Sequence, residues 1–173
     1  MNFTIQRFWE LIDNIRDRWE KNDDILRDFY IKELKRLNND KIIVFHHIFE
    51  YLWNKLTDDP DFNDEVYYKK MQFDTDRVRM CWIDTIIIRG EEVYLMALTA
   101  PEKFMEYHKQ DFDTFDLLID CYYYIADSAF HEKNGIDIHE GYILRKEEFD
   151  LIINEILKEF DEKIASYRNS QNK

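Results

Sequence analysis

Glycine and proline are nearly absent from this chain: three glycines and two prolines in 173 residues. Sandwiches and doubly wound sheets spend many glycines on turns, so their scarcity favours a helical architecture. It also removes the usual means of cradling a phosphate. There is no Gly-rich loop, Walker sequence or nucleophile elbow. Cysteine is scarce too. Cys81 and Cys121 stand forty residues apart in apolar helical patterns, with no metal-ligand spacing and no Cys-x-x-Cys. They read as small buried hydrophobes of a reducing compartment, and the expected location is cytoplasmic. No basic stretch followed by an apolar run opens the chain as a secretory signal would. No uninterrupted apolar run reaches the roughly 18 residues that a membrane span needs.

What is abundant is aromatic and acidic. Thirteen Phe, eleven Tyr and four Trp supply large buried areas. Thirty-seven acids against 24 Lys and Arg give a formal net charge of −13. That charge repels nucleic acid and anionic membrane surfaces. It suits a basic protein partner, and it also serves plain solubility. The length fits one domain spanning residues 1–173, long enough to bury a core.

The most apolar stretch is Val78 to Ala97, VRMCWIDTIIIRGEEVYLMA. Its Ile83–Gly90 part reads as a buried strand or a buried helix, since periodicity does not separate them at this length. Apolar residues lie all round the helical wheel, which favours an interior helix. Gly90 then sits at a helix C′ position, and Glu91 and Glu92 favour the positive end of the next helix. Around this pair the spacing predicts helices over Ile5–Glu20 capped by Thr4, from Asn22 or Asp23 to Leu37, and from Asn39 or Asp40 to Leu56. Pro101–His108 is a short helix, followed by a turn at Gln110–Asp113 and a helix from Thr114 to His131. A final helix runs from Leu144 to Tyr167, with a frayed tail over 166–173. Thr57–Asp76 and Gly135–Gly141 are expected as loops, and Lys69, Lys70 and Arg77, in or next to the first, make the main basic patch. The fold class is all-α: seven or eight helices around a buried central pair.

Several patches also resemble a known family. Phe8-Trp9-Glu10-Leu11-Ile12 opens the chain, and Trp82, Gly90, Glu92, Val93, Tyr94, Ala97, Leu98 and Pro101 follow in order. Tyr122-Tyr123-Tyr124-Ile125-Ala126-Asp127 then leads to Lys133-Asn134-Gly135. Over about residues 5–135 this is similar to a bacterial family catalogued as a domain of unknown function, number forty-two forty. Two positions depart from its pattern: Thr85 stands where a Trp is expected, and Glu91 follows Gly90 in place of Arg. The resemblance implies a helical fold and a bacterial origin. It implies no mechanism, because the family carries no established activity.

Three constellations are candidates for function. On the Thr114–His131 helix, Asp116, Asp120, Tyr124, Asp127 and His131 fall on one flank at the 3.6-residue period. This acid stripe suits a basic side chain, with a hard cation or a merely solvated face as alternatives. His46 and Glu50, one turn apart, suit proton transfer if they line a cleft, and otherwise form a pair at the core edge. Asp84 lies inside the most apolar run. It needs a partner such as Arg77, Arg79, Arg89 or a backbone donor, and is otherwise a tuned acid or base. His131-Glu132 and His139-Glu140 across the glycine loop make a weak metal clip. No metal or cofactor is expected. The leading expectation is a non-enzymatic acidic interaction module, regulatory or toxin-neutralising. The rivals are an enzyme using Asp84 or His46/Glu50, and a structural subunit without chemistry.

Overall fold

A computed structural model describes residues 3–17, 23–66, 76–108 and 122–171. The chain is all-helical, with no strand among the described residues, and eight of the ten helices are seven residues or longer. α1 (Ile5–Arg16) starts where Thr4, in extended backbone, accepts a hydrogen bond from the Arg7 N–H at 3.1 Å. That cap satisfies one of the helix's orphan donors. α2 spans Asp23–Lys35 and α3 spans Asn39–Asp58. The α3 cap is Asn38, one residue ahead of the expected Asn39 or Asp40, accepting from the Lys41 N–H at 3.0 Å.

The expected loop over 57–76 is partly helical. Asp59 accepts from the Phe62 N–H at 2.9 Å and Pro60 sits in the first turn, so a short α4 (Pro60–Phe62) forms directly after α3. A proline that cannot continue one helix is well placed to begin another. Lys69 and Lys70, the Arg77 side chain, Trp19, Cys121 and the predicted turn at 110–113 lie outside what is described.

The central run is helical, and the strand alternative falls. α5 spans Asp76–Ile88, and every residue from Cys81 to Ile88 is buried. A helix covered on all sides has no face to alternate, so its pattern carries neither period clearly. α6 (Glu91–Thr99) and α7 (Pro101–His108) follow. Gly90 joins α5 to α6 with φ 102° and ψ 175°. This is not the left-handed helical cap that its position suggests. It is an extended conformation of positive φ that essentially only glycine adopts. Its N–H donates to the Ile87 carbonyl at 3.0 Å and its carbonyl accepts from Tyr94 N–H at 3.1 Å, so the one residue closes α5 and opens α6. A Cβ here would lie 2.4 Å from Arg16 Nη1 and 2.7 Å from Asp13 Oδ1, at the α1 C-terminus. Gly90→Ala is therefore expected to cost about 1–3 kcal/mol from backbone strain. Urea unfolding measures it, and an alanine variant as stable as the parent would contradict the assigned backbone.

A 3-10 turn (Tyr122–Tyr124) leads into α8 (Ile125–Asn134), which ends at Gly135 in the left-handed region. The predicted loop over 135–141 is largely α9 (Ile138–Ile143), because Asp137 caps it through the His139 N–H at 2.7 Å. α10 (Lys146–Gln171) starts later and runs further than expected, so the predicted frayed tail is helical through Gln171. Of the inward stripe that the spacing predicts, Phe149, Ile153, Ile156, Phe160 and Ile164 are buried, while Ile152 and Leu157 are half-buried.

α3 packs against α5, α8 and α10. Tyr94 ties α6 to it, its hydroxyl donating to the Leu52 carbonyl at 2.9 Å in the interior. Where α1, α6 and α10 meet, the rings of Trp9, Tyr94 and Phe160 form a triangle with centroids 5.7 to 6.1 Å apart. Such spacing suits attractive ring contacts beyond area burial.

Candidate functional site

Of the acid stripe, the described residues include only Tyr124, Asp127 and His131. Asp116 and Asp120 lie outside the described residues. Of the expected Thr114–His131 helix, the described part begins with the 3-10 turn at Tyr122–Tyr124. Tyr124, 54% exposed, ends that turn, and His131 is exposed further along α8. Asp127 is half-buried and accepts a hydrogen bond from the Ile138 N–H at 3.2 Å, so its carboxylate serves the α8–α9 connection.

The other candidates, far apart in sequence, converge on Tyr123. Its hydroxyl donates to Glu50 Oε1 at 3.1 Å, and its backbone N–H donates to Asp84 Oδ2 at 3.2 Å. Its ring meets that of His46 edge-on at 6.1 Å. Asp84 thus has a backbone donor, one of the partners expected for it, on a residue thirty-nine positions away. Glu50 is paired with the neighbouring histidine: His47 Nδ1 lies 3.2 Å from Glu50 Oε2, while neither ring nitrogen of His46 has a partner among the described residues. The expected His46–Glu50 pair is corrected accordingly. His46 is turned into the core and His47 along the outside of α3, where it reaches Glu50 three residues on.

Electrostatics follow from that geometry. Burial pushes His46 down to about 4, with His47 and His139 repelling its charged form and Glu50 and Asp127 partly opposing them. The hydrogen bond from His47 is the main cause that holds Glu50 down to about 2. Burial, then the Glu50 charge, pushes Tyr123 up to about 12. The cluster thus holds a neutral imidazole, an ionised Glu50 and a protonated phenol. Two of its members are closed to solvent: His46 is 4% exposed and Asp84 is fully buried. The proposed metal clip is also not assembled. Glu132 pairs with Lys35 at 2.9 Å, and the His139 ring leans on His46 at 5.7 Å.

The acidic character is concentrated elsewhere. A cleft of about 460 Å³ opens between α4 and the α6–α7 corner, lined by Asp61, Asp64, Glu65, Glu102, Lys103 and the Ala100–Pro101 bend. Asp61, Asp64 and Glu102 make no ion pair among the described residues. The sequence shows this acid run around Pro60, but read alone it signals a helix break. Only the fold brings Glu102, forty residues on, to the opposite wall. Tyr123, the hub of the buried cluster, carries no sequence signal that sets it apart from its two tyrosine neighbours.

The family described as Protein of unknown function (DUF4240) matches residues 3–132. No curated protein and no solved structure matches the chain. No helix among the described residues is long and apolar enough to cross a membrane.

Proposed function

The chain belongs to the DUF4240 family of proteins of unknown function, and we propose, from its own geometry, that it is an interaction module whose anionic surface docks a basic protein. A regulatory or toxin-neutralising role, masking a positive patch, is the concrete form of this reading. The observation that carries it is the cleft at α4 and the α6–α7 corner, where, among the described residues, four carboxylates and one lysine form the lining. A concave anionic wall focuses field and accelerates encounter with a positive partner. The net charge of −13 works in the same direction and against nucleic acid. Two cysteines without metal-ligand spacing are compatible with a cytoplasmic setting. Catalysis through Asp84 or His46 is disfavoured, since both are sealed from solvent.

The test uses a labelled nona-arginine peptide and two variants of equal charge change. Asp61→Asn, Asp64→Asn and Glu102→Gln together should weaken binding at least about tenfold, or 1.4 kcal/mol. Glu147→Gln, Glu155→Gln and Glu162→Gln, all exposed on α10, should weaken it less than about threefold, an effect of net charge alone. Affinity should fall steeply with added salt. Equal losses in the two triple variants would remove the cleft from the argument and leave only diffuse charge.

A further inference from the structure

Five large hydrophobic side chains stand exposed among the described residues, and the three most exposed lie at the start of α10 and the turn before it. They are Ile143 at 67%, Leu144 at 80% and Leu151 at 70%. Apolar residues scattered singly over a surface need no explanation, but a local group of them marks a place of contact. Leu151 also breaks the pattern of its own helix. At about 100° per residue it stands roughly opposite the buried stripe of Phe149, Ile153, Ile156 and Phe160, where the period calls for a polar side chain. Leu144 comes seven positions earlier, about two helical turns or 10 Å along the axis.

This corner is pinned. Arg145 donates to Asp40 at 2.7 Å and to Glu148 at 2.6 and 2.9 Å, and its guanidinium lies 5.1 Å from the centre of the Phe149 ring. The Tyr142 hydroxyl and the Lys146 ammonium both donate to Asp150. Apolar side chains on a fixed backbone lose less entropy when a partner covers them. The charges indicate which partner. Arg145 and Lys146 are already engaged by acids of this chain. Glu147 and Glu155, four positions either side of Leu151, are exposed and make no ion pair among the described residues. Lys158, the next exposed cation on α10, offsets one of them. A second copy of the chain fits poorly. Two α10 helices crossing at Leu151 would bring Glu147 against Glu155 if antiparallel, and each against itself if parallel, so like charges meet. An anionic membrane is repelled for the same reason. We propose that the Leu144–Leu151 face docks a cationic amphipathic helix of another protein, with apolar side chains at i and i+7 flanked by Lys or Arg. The proposal does not rest on the cleft at α4, and nona-arginine, without apolar side chains, does not engage this face.

The probe is a labelled Leu/Lys/Ala peptide of about five helical turns, with its leucines on one face. A scramble of the same composition spreads them around the helix. In the full ¹³C-methyl-labelled chain the first peptide should shift the Leu144 and Leu151 methyl resonances saturably. Leu144→Ser with Leu151→Ser should raise its Kd at least about tenfold, and both sites are exposed enough to keep the fold. Glu147→Gln with Glu155→Gln should weaken binding about threefold or more and flatten its salt dependence. Asp61→Asn, Asp64→Asn and Glu102→Gln together should change it less than about threefold. A loss confined to that last variant would assign the peptide to the α4 cleft, sinking this face while sparing the cleft. Equal binding of the scramble, or an unchanged Kd in the double serine variant, would also overturn the proposal. So would a parent dimer in sedimentation, or capture by phosphatidylcholine vesicles, that the double serine variant abolishes. The face would then belong to a second copy or to lipid.

Discussion

Phe160→Ala is expected to cost about 3–5 kcal/mol, the range for removing a large aromatic from a close-packed interior. Phe160 is fully buried, and its ring lies 6.1 Å from Trp9 and 5.9 Å from Tyr94. The consequence reaches beyond one side chain. The family match ends at residue 132, while α10 begins at Lys146. Yet Phe149, Ile153, Ile156, Phe160 and Ile164 of α10 belong to the same buried cluster as Phe8, Phe45 and Tyr94. We propose that residues 1–173 fold as one cooperative domain. The whole urea transition, followed by far-ultraviolet circular dichroism and by tryptophan fluorescence, should then move together to lower midpoint. A loss under about 1 kcal/mol, or two separate transitions, would show α10 to be an appendage rather than part of the core.

Acidification is expected to remove about 3 kcal/mol of folding free energy through His46 alone, given its fall from 6.5 to about 4. The sign follows from proton counting. Between 4 and 6.5 the unfolded chain holds a proton on this imidazole that the folded chain excludes. Stability is thus fully present above 6.5 and is lost as the pH falls toward 4. Burial is the principal cause. His47 on α3 and His139 on α9 add repulsion, while Glu50 on α3 and Asp127 on α8 attract. Glu50 contributes in a lower window, because its depression from 4.5 to about 2 carries stability that is lost only as the pH passes through that range. The two windows separate the groups. Urea unfolding of the parent chain and of His46→Leu across the upper window is the measurement. The leucine variant should lose most of the slope between 6.5 and 4 and should be relatively more stable at the acid end. Parallel slopes would mean that His46 is hydrated or paired in solution.

Much of the architecture is legible along the chain. Scarce glycine, a capping residue such as Thr4, and the wide apolar stripe of α10 are local features, and local features dictate helices. The start of α6 at Glu91 and the bounds of α7 at Pro101 and His108 follow from the same chemistry. Misjudged boundaries have local causes too. At Pro60 a breaker doubled as an initiator, and at Gly141 a turn-former was carried inside α9 by the cap at Asp137.

What the sequence determined by itself is therefore the class of structure and the net negative charge, since composition and period suffice for both. The tertiary structure alone decided which side chains meet. It gave Glu50 to His47 and left His46 without a partner among the described residues. It brought the Tyr123 backbone to Asp84 and set Glu102 across from Asp61. Helical periodicity states which face a residue occupies. It carries no information on what packs against that face, because such contacts depend on helix crossings between segments that the chain separates by dozens of residues.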